Sequence, residues 1–214
     1  RMASAAQYEI KVQGKGGHGA MPAECIDAVT CSCAIVNSMQ TVVSREFRPN
    51  DAVVVTVGTV NVGTRWNVIA DNGSLTGTTR CYDTTVLKEL PERMERIARG
   101  IGEAYRCDIE FTYEDLLGPT VNHPEMTAVA AEAAKKIYGE ENLVYMDATT
   151  GGEDFSYFIE AAPDNMGAFA FPGVGSVEWD SCHAHHSPKF KVDESALLKG
   201  AALYCQVAAD FNCK

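Results

Sequence analysis

The segment YEIKVQGKGGHG, residues 8–19, sets the architecture of the N-terminal half. Its first five residues alternate apolar and polar side chains, which is typical of a half-buried β-strand. The glycines that follow predict a tight turn, and apolar residues then recur at helical spacing from about Glu24 to Arg45. This half of the chain is therefore expected to open with a strand, a turn and a helix.

Four more elements are predicted before residue 115. They are a valine-rich strand over 51–62, a strand over 74–82, a helix over 86–105 with Pro91 near its start, and a strand over 107–113. The order β-α-β-β-α-β is that of the ferredoxin-like arrangement, in which two helices cover one face of a sheet. We therefore expect a ferredoxin-like domain over residues 1–115.

The second half, residues 116–214, has a different pattern. It predicts an alanine-rich helix that ends near Tyr138, strands over 143–146 and 167–171 with a short helix between them, and a final helix over 194–211. So few strands make a poor sheet domain on their own. We expect the C-terminal segment of a larger α/β domain, so that the fold class is α/β with an α+β first domain.

The composition excludes several classes of function. With 18 basic and 29 acidic residues the net charge is −11, which disfavours nucleic acid and anionic membranes as partners. There is no apolar run of membrane-spanning length and no signal-peptide pattern at the N-terminus, so a cytoplasmic protein is expected. The eight cysteines form no C-x-x-C pair, which indicates reduced, mostly buried thiols rather than a disulfide framework.

The glycine-rich turn at residues 14–19 has two other interpretations. It matches the G-x-G-x-x-G pattern of dinucleotide-binding proteins, but Pro22 delays the following helix and Asp51 precedes the next strand instead of ending it. Alternatively, His18 is an ordinary exposed loop histidine. Its position between glycines presents an imidazole with little steric cover.

Three more groups of residues are candidates for chemistry. Residues 182–188 contain three of the five histidines, residues 151–154 place paired acids after two glycines, and Arg80 lies among uncharged neighbours on a predicted strand. Each also has a structural explanation: a solvated loop, a helix start that favours acidic residues, and a surface arginine. A guanidinium on a strand can bind a carboxylate through two hydrogen bonds.

Taken together, the motifs resemble those of the aminoacylase/carboxypeptidase family of metal-dependent amidohydrolases, in particular the branch of hippurate hydrolase and the auxin-conjugate hydrolases. The resemblance covers essentially the whole chain and rests on five motifs in the family's order. These are Gly14-Lys15-Gly16-Gly17-His18-Gly19-Ala20-Met21-Pro22, Asn67-Val68-Ile69-Ala70-Asp71, Leu75-Thr76-Gly77-Thr78-Thr79-Arg80, Gly152-Glu153-Asp154-Phe155-Ser156 and His186-Ser187-Pro188-Lys189-Phe190 with Asp193-Glu194.

The resemblance implies a role for five residues. His186 is expected to be a metal ligand, whereas the other two loop histidines match no family role. His18 is expected to be the catalytic lid histidine that reaches the active site of the neighbouring subunit and stabilises the oxyanion. Asn67 and Arg80 are expected to bind the substrate carboxylate, and the backbone at Gly152 to line the substrate pocket.

The resemblance also implies the reaction and its requirements. A divalent metal (Zn, Mn, Co or Ni), two ions in a complete enzyme, would activate water for hydrolysis of the amide bond of N-acyl amino acids or small peptides. A glutamate would act as general base. The first domain would serve as a lid and would mediate homodimerisation.

Two departures from the family pattern change these expectations. Ala23 stands where many relatives carry histidine, which bears on a secondary substrate or dimer contact. The family's other metal ligands and its glutamate base have no counterpart here, and the turn-like Glu140-Glu141 does not replace them. We therefore expect a fragment that is inactive alone; the alternative is a non-catalytic dimerisation or binding module derived from the family.

Overall fold

A computed structural model describes residues 1–212 of the chain. The chain divides into two compact units. The first unit comprises residues 1–120 and 148–157, and the second comprises residues 121–147 and those from 158 onward.

The first unit contains the predicted β-α-β-β-α-β order. Its long strands are β1 (Ala5–Gln13), β3 (Val53–Val62), β5 (Asn72–Cys81) and β6 (Asp108–Leu117), and its short strands are β2 (Gly17–His18) and β4 (Val68–Ile69). Its helices are α1 (Ala28–Thr41) and α2 (Thr84–Tyr105). The long strands form one antiparallel sheet in the order β3-β5-β1-β6, which confirms the ferredoxin-like arrangement.

Alternation along the strands decides which face of this sheet is buried. Tyr8, Ile10 and Val12 of β1 are almost fully buried, whereas the residues between them are partly or fully exposed. The buried face packs against apolar side chains of both helices, among them Ile35 and Leu90. The opposite face carries the polar side chains, including Lys11, which forms a 2.8 Å ion pair with Glu110.

Both helices of the first unit begin at an aspartate. Asp27 Oδ1 accepts hydrogen bonds from the N–H groups of Val29 and Thr30, at 2.8 and 3.4 Å. The helix expected from about Glu24 therefore starts at Ala28, because the side chain of Asp27 caps the first turn. α1 continues into a π-helical turn at Val42–Glu46.

The second unit is built on two packed helices. These are α3 (Pro124–Tyr138) and α5 (Ser195–Asn212), and Lys136 Nζ contacts Asp210 Oδ1 at 2.6 Å between them. The short helix α4 (Ser156–Ala161) lies where the chain passes from the first unit into the second.

The prediction of two strands in the second half of the chain is wrong. Within residues 1–212, neither 143–146 nor 167–171 forms a strand. The backbone of Phe169 instead pairs with the side-chain amide of Asn122, whose Nδ2 donates at 2.8 Å and whose Oδ1 accepts at 2.9 Å. A strand requires a neighbouring strand, and here a side chain satisfies the same backbone groups.

Seven of the eight cysteines lie in the described part of the chain, and all seven are free thiols. Cys25, Cys31, Cys81 and Cys107 are buried. The other three described thiols are exposed, and Cys213 lies outside the described residues. No helix among residues 1–212 is long and apolar enough to cross a membrane.

Candidate functional site

His18 and Asn67 lie side by side in the first unit, although 49 positions separate them in the sequence. His18 pairs with Val68 in the antiparallel ladder between β2 and β4. The next residue, Gly19, donates its N–H to the Asn67 carbonyl oxygen at 2.9 Å. Two motifs far apart in the chain thus meet in one ladder.

A backbone hydrogen bond favours one tautomer of the neutral His18 imidazole. The N–H of Ala20 donates to His18 Nδ1 at 3.1 Å. A ring nitrogen that accepts a hydrogen bond carries no proton, so in the neutral imidazole the proton is on Nε2. Nε2 is then a hydrogen-bond donor on an exposed side chain.

The glycines beside His18 allow this close approach. A Cβ on Gly16 would lie 3.0 Å from the Ile69 carbonyl oxygen, and one on Gly19 would lie 2.9 Å from that of Asn67. The dinucleotide interpretation is disfavoured, because α1 starts nine residues after Gly19. The first N–H groups of α1 are already bound by the carboxylate of Asp27, which would repel a pyrophosphate.

Arg80 lies on the polar face of the sheet. Its neighbours Thr79 and Cys81 are buried on the helix-covered face, so that strand alternation directs Arg80 to the other side. Arg80 Nη1 donates to Thr78 Oγ1 and, at 2.8 Å, to the carbonyl oxygen of Thr79. Among residues 1–212 no carboxylate forms an ion pair with Arg80.

Gly152 lies at the same end of the sheet as Arg80. A Cβ at Gly152 would be 3.0 Å from Leu117 Cδ1 and 3.5 Å from Ala5 Cβ. The carbonyl oxygen of Glu153 accepts a 3.0 Å hydrogen bond from Thr120 Oγ1. The segment 151–154 therefore packs closely against the ends of β1 and β6, and a side chain at Gly152 would press against Leu117.

His18 lies in the separate two-stranded ladder that leads into β5, whereas Arg80 lies near the other end of β5. β4, which pairs with His18, ends three residues before β5 begins at Asn72, and Arg80 is near the other end of β5. Eight residue steps separate Asn72 from Arg80, which is about 26 Å along a strand. The structure thus groups His18 with Asn67 and, separately, Arg80 with Gly152.

His186 belongs to the second unit, where its backbone is unusual. Its φ is 63°, in the left-handed region that non-glycine residues rarely occupy. Its neighbours have structural contacts: His183 Nε2 lies 3.3 Å from Asp180 Oδ1, and the ring of His185 meets that of Phe190 edge-on at 5.2 Å. Strained backbone of this kind is often retained where it orients a functional side chain.

The described residues do not make a metal site on their own. Among them, no group of three or more histidine, cysteine, aspartate or glutamate side chains could hold a metal ion. His186 can therefore serve only as one ligand of a larger set, since catalytic zinc sites use about three protein ligands.

The sequence did not single out Trp66, which immediately precedes Asn67. Its side chain is 96% exposed, more than that of any other large apolar residue described. Its only signal in the sequence is a tryptophan within a polar, glycine-containing loop.

Comparisons with known proteins agree with the motifs. The family model for peptidase family M20/M25/M40 matches residues 12–210. N-acetylcysteine deacetylase of Bacillus subtilis is 34% identical over 97% of this chain and 52% of its own length. Thermostable carboxypeptidase 1 of Saccharolobus solfataricus is 34% identical over 100% of this chain and 53% of its own length.

Two crystal structures show the same fold. One is an aminohydrolase from methicillin-resistant Staphylococcus aureus, with a TM-score of 0.83 at 30% identity over 98% of this chain and 53% of that one. The other is YxeP of Bacillus subtilis, a dinuclear metal-binding peptidase, with a TM-score of 0.75 at 28% identity over 97% and 49%. The chain thus spans about half the length of the relatives it matches, and it belongs to peptidase family M20/M25/M40.

Proposed function

We propose that this chain belongs to a metal-dependent enzyme that hydrolyses the amide bond of N-acyl amino acids or small peptides. In that reaction water is consumed, and a carboxylic acid and an amine are released. The names of the relatives support this class, since they include a deacetylase and a carboxypeptidase. The structural observation that carries the proposal is the meeting of the His18 and Asn67 segments, in which His18 pairs with Val68 and the N–H of Gly19 donates to the Asn67 carbonyl oxygen.

His18 is the proposed oxyanion-stabilising group. Because Nδ1 accepts from Ala20 N–H, the neutral ring presents Nε2–H as a donor. A donor aimed at the oxygen on which negative charge develops lowers the barrier by about 3 to 4 kcal/mol in other hydrolases. Asn67 is the proposed carboxylate-binding residue beside it.

Arg80 is the proposed second contact to the substrate carboxylate. Its Nη1 is engaged by Thr78 and Thr79, which orients the guanidinium and leaves its other N–H groups available. The Gly152 backbone lies at the same end of the sheet and is the proposed lining of the substrate pocket.

His186 is the proposed metal ligand. A bound divalent metal would polarise the amide carbonyl and lower the pKa of water. One imidazole cannot hold a catalytic metal. We therefore expect no metal-dependent hydrolysis of hippurate-like substrates by the 214 residues alone in manganese, cobalt or zinc, and turnover there would contradict this.

A homodimer formed through the lid domain would bring the two groups of residues to one substrate. The ladder of His18 leads into β5 at Asn72, and about 26 Å of strand separates Asn72 from Arg80. An N-acyl amino acid spans about two residues, or about 7 Å, which is much shorter than that strand. In the proposed dimer, His18 of the partner subunit acts on the substrate that is held by Arg80.

Combining two inactive variants tests this arrangement. The experiment uses the metal-loaded protein that the gene encodes, and not the 214 residues alone. His18→Ala and Arg80→Ala are each expected to lower kcat/KM strongly. A mixed dimer would contain one site with both side chains, so co-expression should restore up to about half of the activity per mixed dimer. Mixing two His18→Ala preparations is the control, and an unrestored mixture of the two variants would contradict action between subunits.

The alternative function is a non-catalytic dimerisation or binding module. If this alternative is right, Arg80→Ala leaves kcat/KM for N-benzoylglycine unchanged when it is measured in the protein that the gene encodes. The matched control is Arg45→Ala, in the π-helical turn that follows α1, where Nη1 donates to the neighbouring Ser44 carbonyl oxygen. The enzyme proposal requires a large loss of kcat/KM for Arg80→Ala and none for the control.

A further inference from the structure

Trp66 projects from the turn that also carries Asn67. Val68 N–H donates to the Arg65 carbonyl oxygen at 3.4 Å and so closes a four-residue turn with Trp66 and Asn67 at its centre. The 96% exposure of Trp66 leaves almost its whole indole in solvent. Aromatic side chains of this size gain most when an apolar ligand covers them.

Two further exposed apolar side chains border His18. Met21, 51% exposed, donates its N–H to the His18 carbonyl oxygen at 2.8 Å, and Val68, 45% exposed, pairs with His18 in the ladder. The imidazole of His18 and the amide of Asn67 are thus accompanied by apolar side chains from both of the segments that meet here. Small-molecule sites have this make-up, with apolar walls and a few polar groups that fix orientation.

We propose that Trp66 is a specificity-determining residue that binds a large apolar group of the substrate, an aromatic ring or a branched chain. This inference rests on the proposed function and adds a substrate preference to it. His18 and Asn67 address the polar atoms around the amide, whereas Trp66 covers the ring or chain beside them. An acetyl group offers too little apolar surface to gain from the indole.

The apolar group could lie on either side of the amide bond, and the choice of substrates separates the two sources. N-benzoylglycine carries a ring on the acyl side, N-acetylphenylalanine carries one on the amino-acid side, and N-acetylglycine carries neither. Kinetics are measured with the metal-loaded protein as its gene encodes it. The variants are Trp66→Ala and Trp66→Phe. The control is Trp179→Ala, which replaces the second tryptophan of the sequence, whose side chain is 65% exposed.

We expect Trp66→Ala to lower kcat/KM about tenfold for one ring-bearing substrate, mainly through KM, and to change N-acetylglycine less than twofold. Trp66→Phe should retain most of the preference, and Trp179→Ala all of it. Equal losses for all three substrates, or no loss, would overturn the inference. So would a weaker dimer without a selective change in KM.

Tryptophan emission gives a second readout. In the encoded protein with Trp179→Phe, Trp66 is the remaining tryptophan of these 214 residues, and any further tryptophan is replaced as well. Addition of N-benzoylglycine or N-acetylphenylalanine should shift or quench its emission, whereas N-acetylglycine should not. A shift without hydrolysis refutes the proposed function and supports only the binding of an apolar group at Trp66, whereas hydrolysis without a shift or a preference refutes the inference.

Discussion

The N–H of Gly19 donates a hydrogen bond of 2.9 Å to the carbonyl oxygen of Asn67. This bond joins the glycine-rich turn to the loop before β4 and holds the candidate residues His18 and Asn67 next to each other. A Cβ at residue 19 would lie 2.9 Å from that oxygen and 3.1 Å from its carbonyl carbon. The contact therefore depends on the absence of a side chain.

Gly19→Ala is expected to destabilise the protein. The added methyl must displace backbone atoms of Asn67, and overpacking of this kind typically costs about 1 to 3 kcal/mol. Urea unfolding of the 214-residue chain measures the change. Gly173→Ala is the matched control, because a Cβ there meets nothing within 4 Å. Similar free energies of unfolding for Gly19→Ala and the wild type would show that the turn can move away from Asn67 at no cost.

Two glycines of α2 should respond in opposite directions to the same substitution. A Cβ on Gly100 meets nothing within 4 Å, so Gly100→Ala should stabilise the helix by up to about 1 kcal/mol. A Cβ on Gly102 would collide with Ile109 Cγ1 and lie 2.9 Å from the Cys107 carbonyl oxygen. Gly102→Ala should therefore lower the melting temperature, whereas Gly100→Ala should raise it. A rise for both would mean that helix propensity outweighs packing against β6, and a fall for both would mean that Gly100 also lacks space for a methyl group.

The first unit could be predicted from the sequence because its sheet buries one face only. Alternation in β1 and helical spacing in α1 are both local patterns, and each is decided by the same buried layer. The strands predicted over 143–146 and 167–171 do not form, again because the surroundings of a segment decide its structure. An apolar run becomes a strand only where a partner strand meets its backbone, and the partner of Phe169 is the side chain of Asn122.

The candidate site was only partly predictable. The motifs identified His18, Asn67 and Arg80 individually, but their arrangement depends on strand register and pairing, which no local pattern fixes. The ladder between β2 and β4 places Asn67 beside His18, whereas Arg80 lies near the far end of β5. Trp66 was missed because its exposure is a property of the folded turn.

Burial should divide the cysteines into two classes of reactivity. Burial raises the pKa of the Cys31 thiol to about 12 and also raises the pKa values of Cys81 and Cys107. Since the thiolate is the reactive form, brief treatment with N-ethylmaleimide should modify the exposed Cys33, Cys182 and Cys205 first.

Peptide mapping by mass spectrometry identifies the modified thiols. Cys25, Cys31, Cys81 and Cys107 should become modified only as fast as the protein unfolds, and all of them should react in urea. Rapid labelling of Cys31 in the folded protein would show that the contact between α1 and the sheet opens far more often than a packed core does.

Asp83 makes the stability of α2 depend on pH. Its carboxylate accepts from the N–H groups of Val86 and Thr85, and these hydrogen bonds lower the pKa of Asp83 below its usual 3.8. Because the folded pKa lies below the unfolded one, the stabilisation is present above the unfolded value and is lost as the pH falls through the folded value.

Asp83→Ala should therefore cost about 1 kcal/mol near neutral pH, as removal of a helix N-cap does. The difference between wild type and variant in urea unfolding should stay constant from neutral pH down to about pH 5 and shrink below about pH 4. Asp83→Asn retains a side-chain oxygen for the cap without the titration, so it should restore most of the stability. Glu92→Gln removes a charge from α2 outside its first turn and should change the free energy of unfolding by less than about 0.5 kcal/mol. A loss for Asp83→Ala that stays the same size from pH 7 to pH 3 would show that the cap stabilises α2 through an uncharged hydrogen bond instead of its carboxylate.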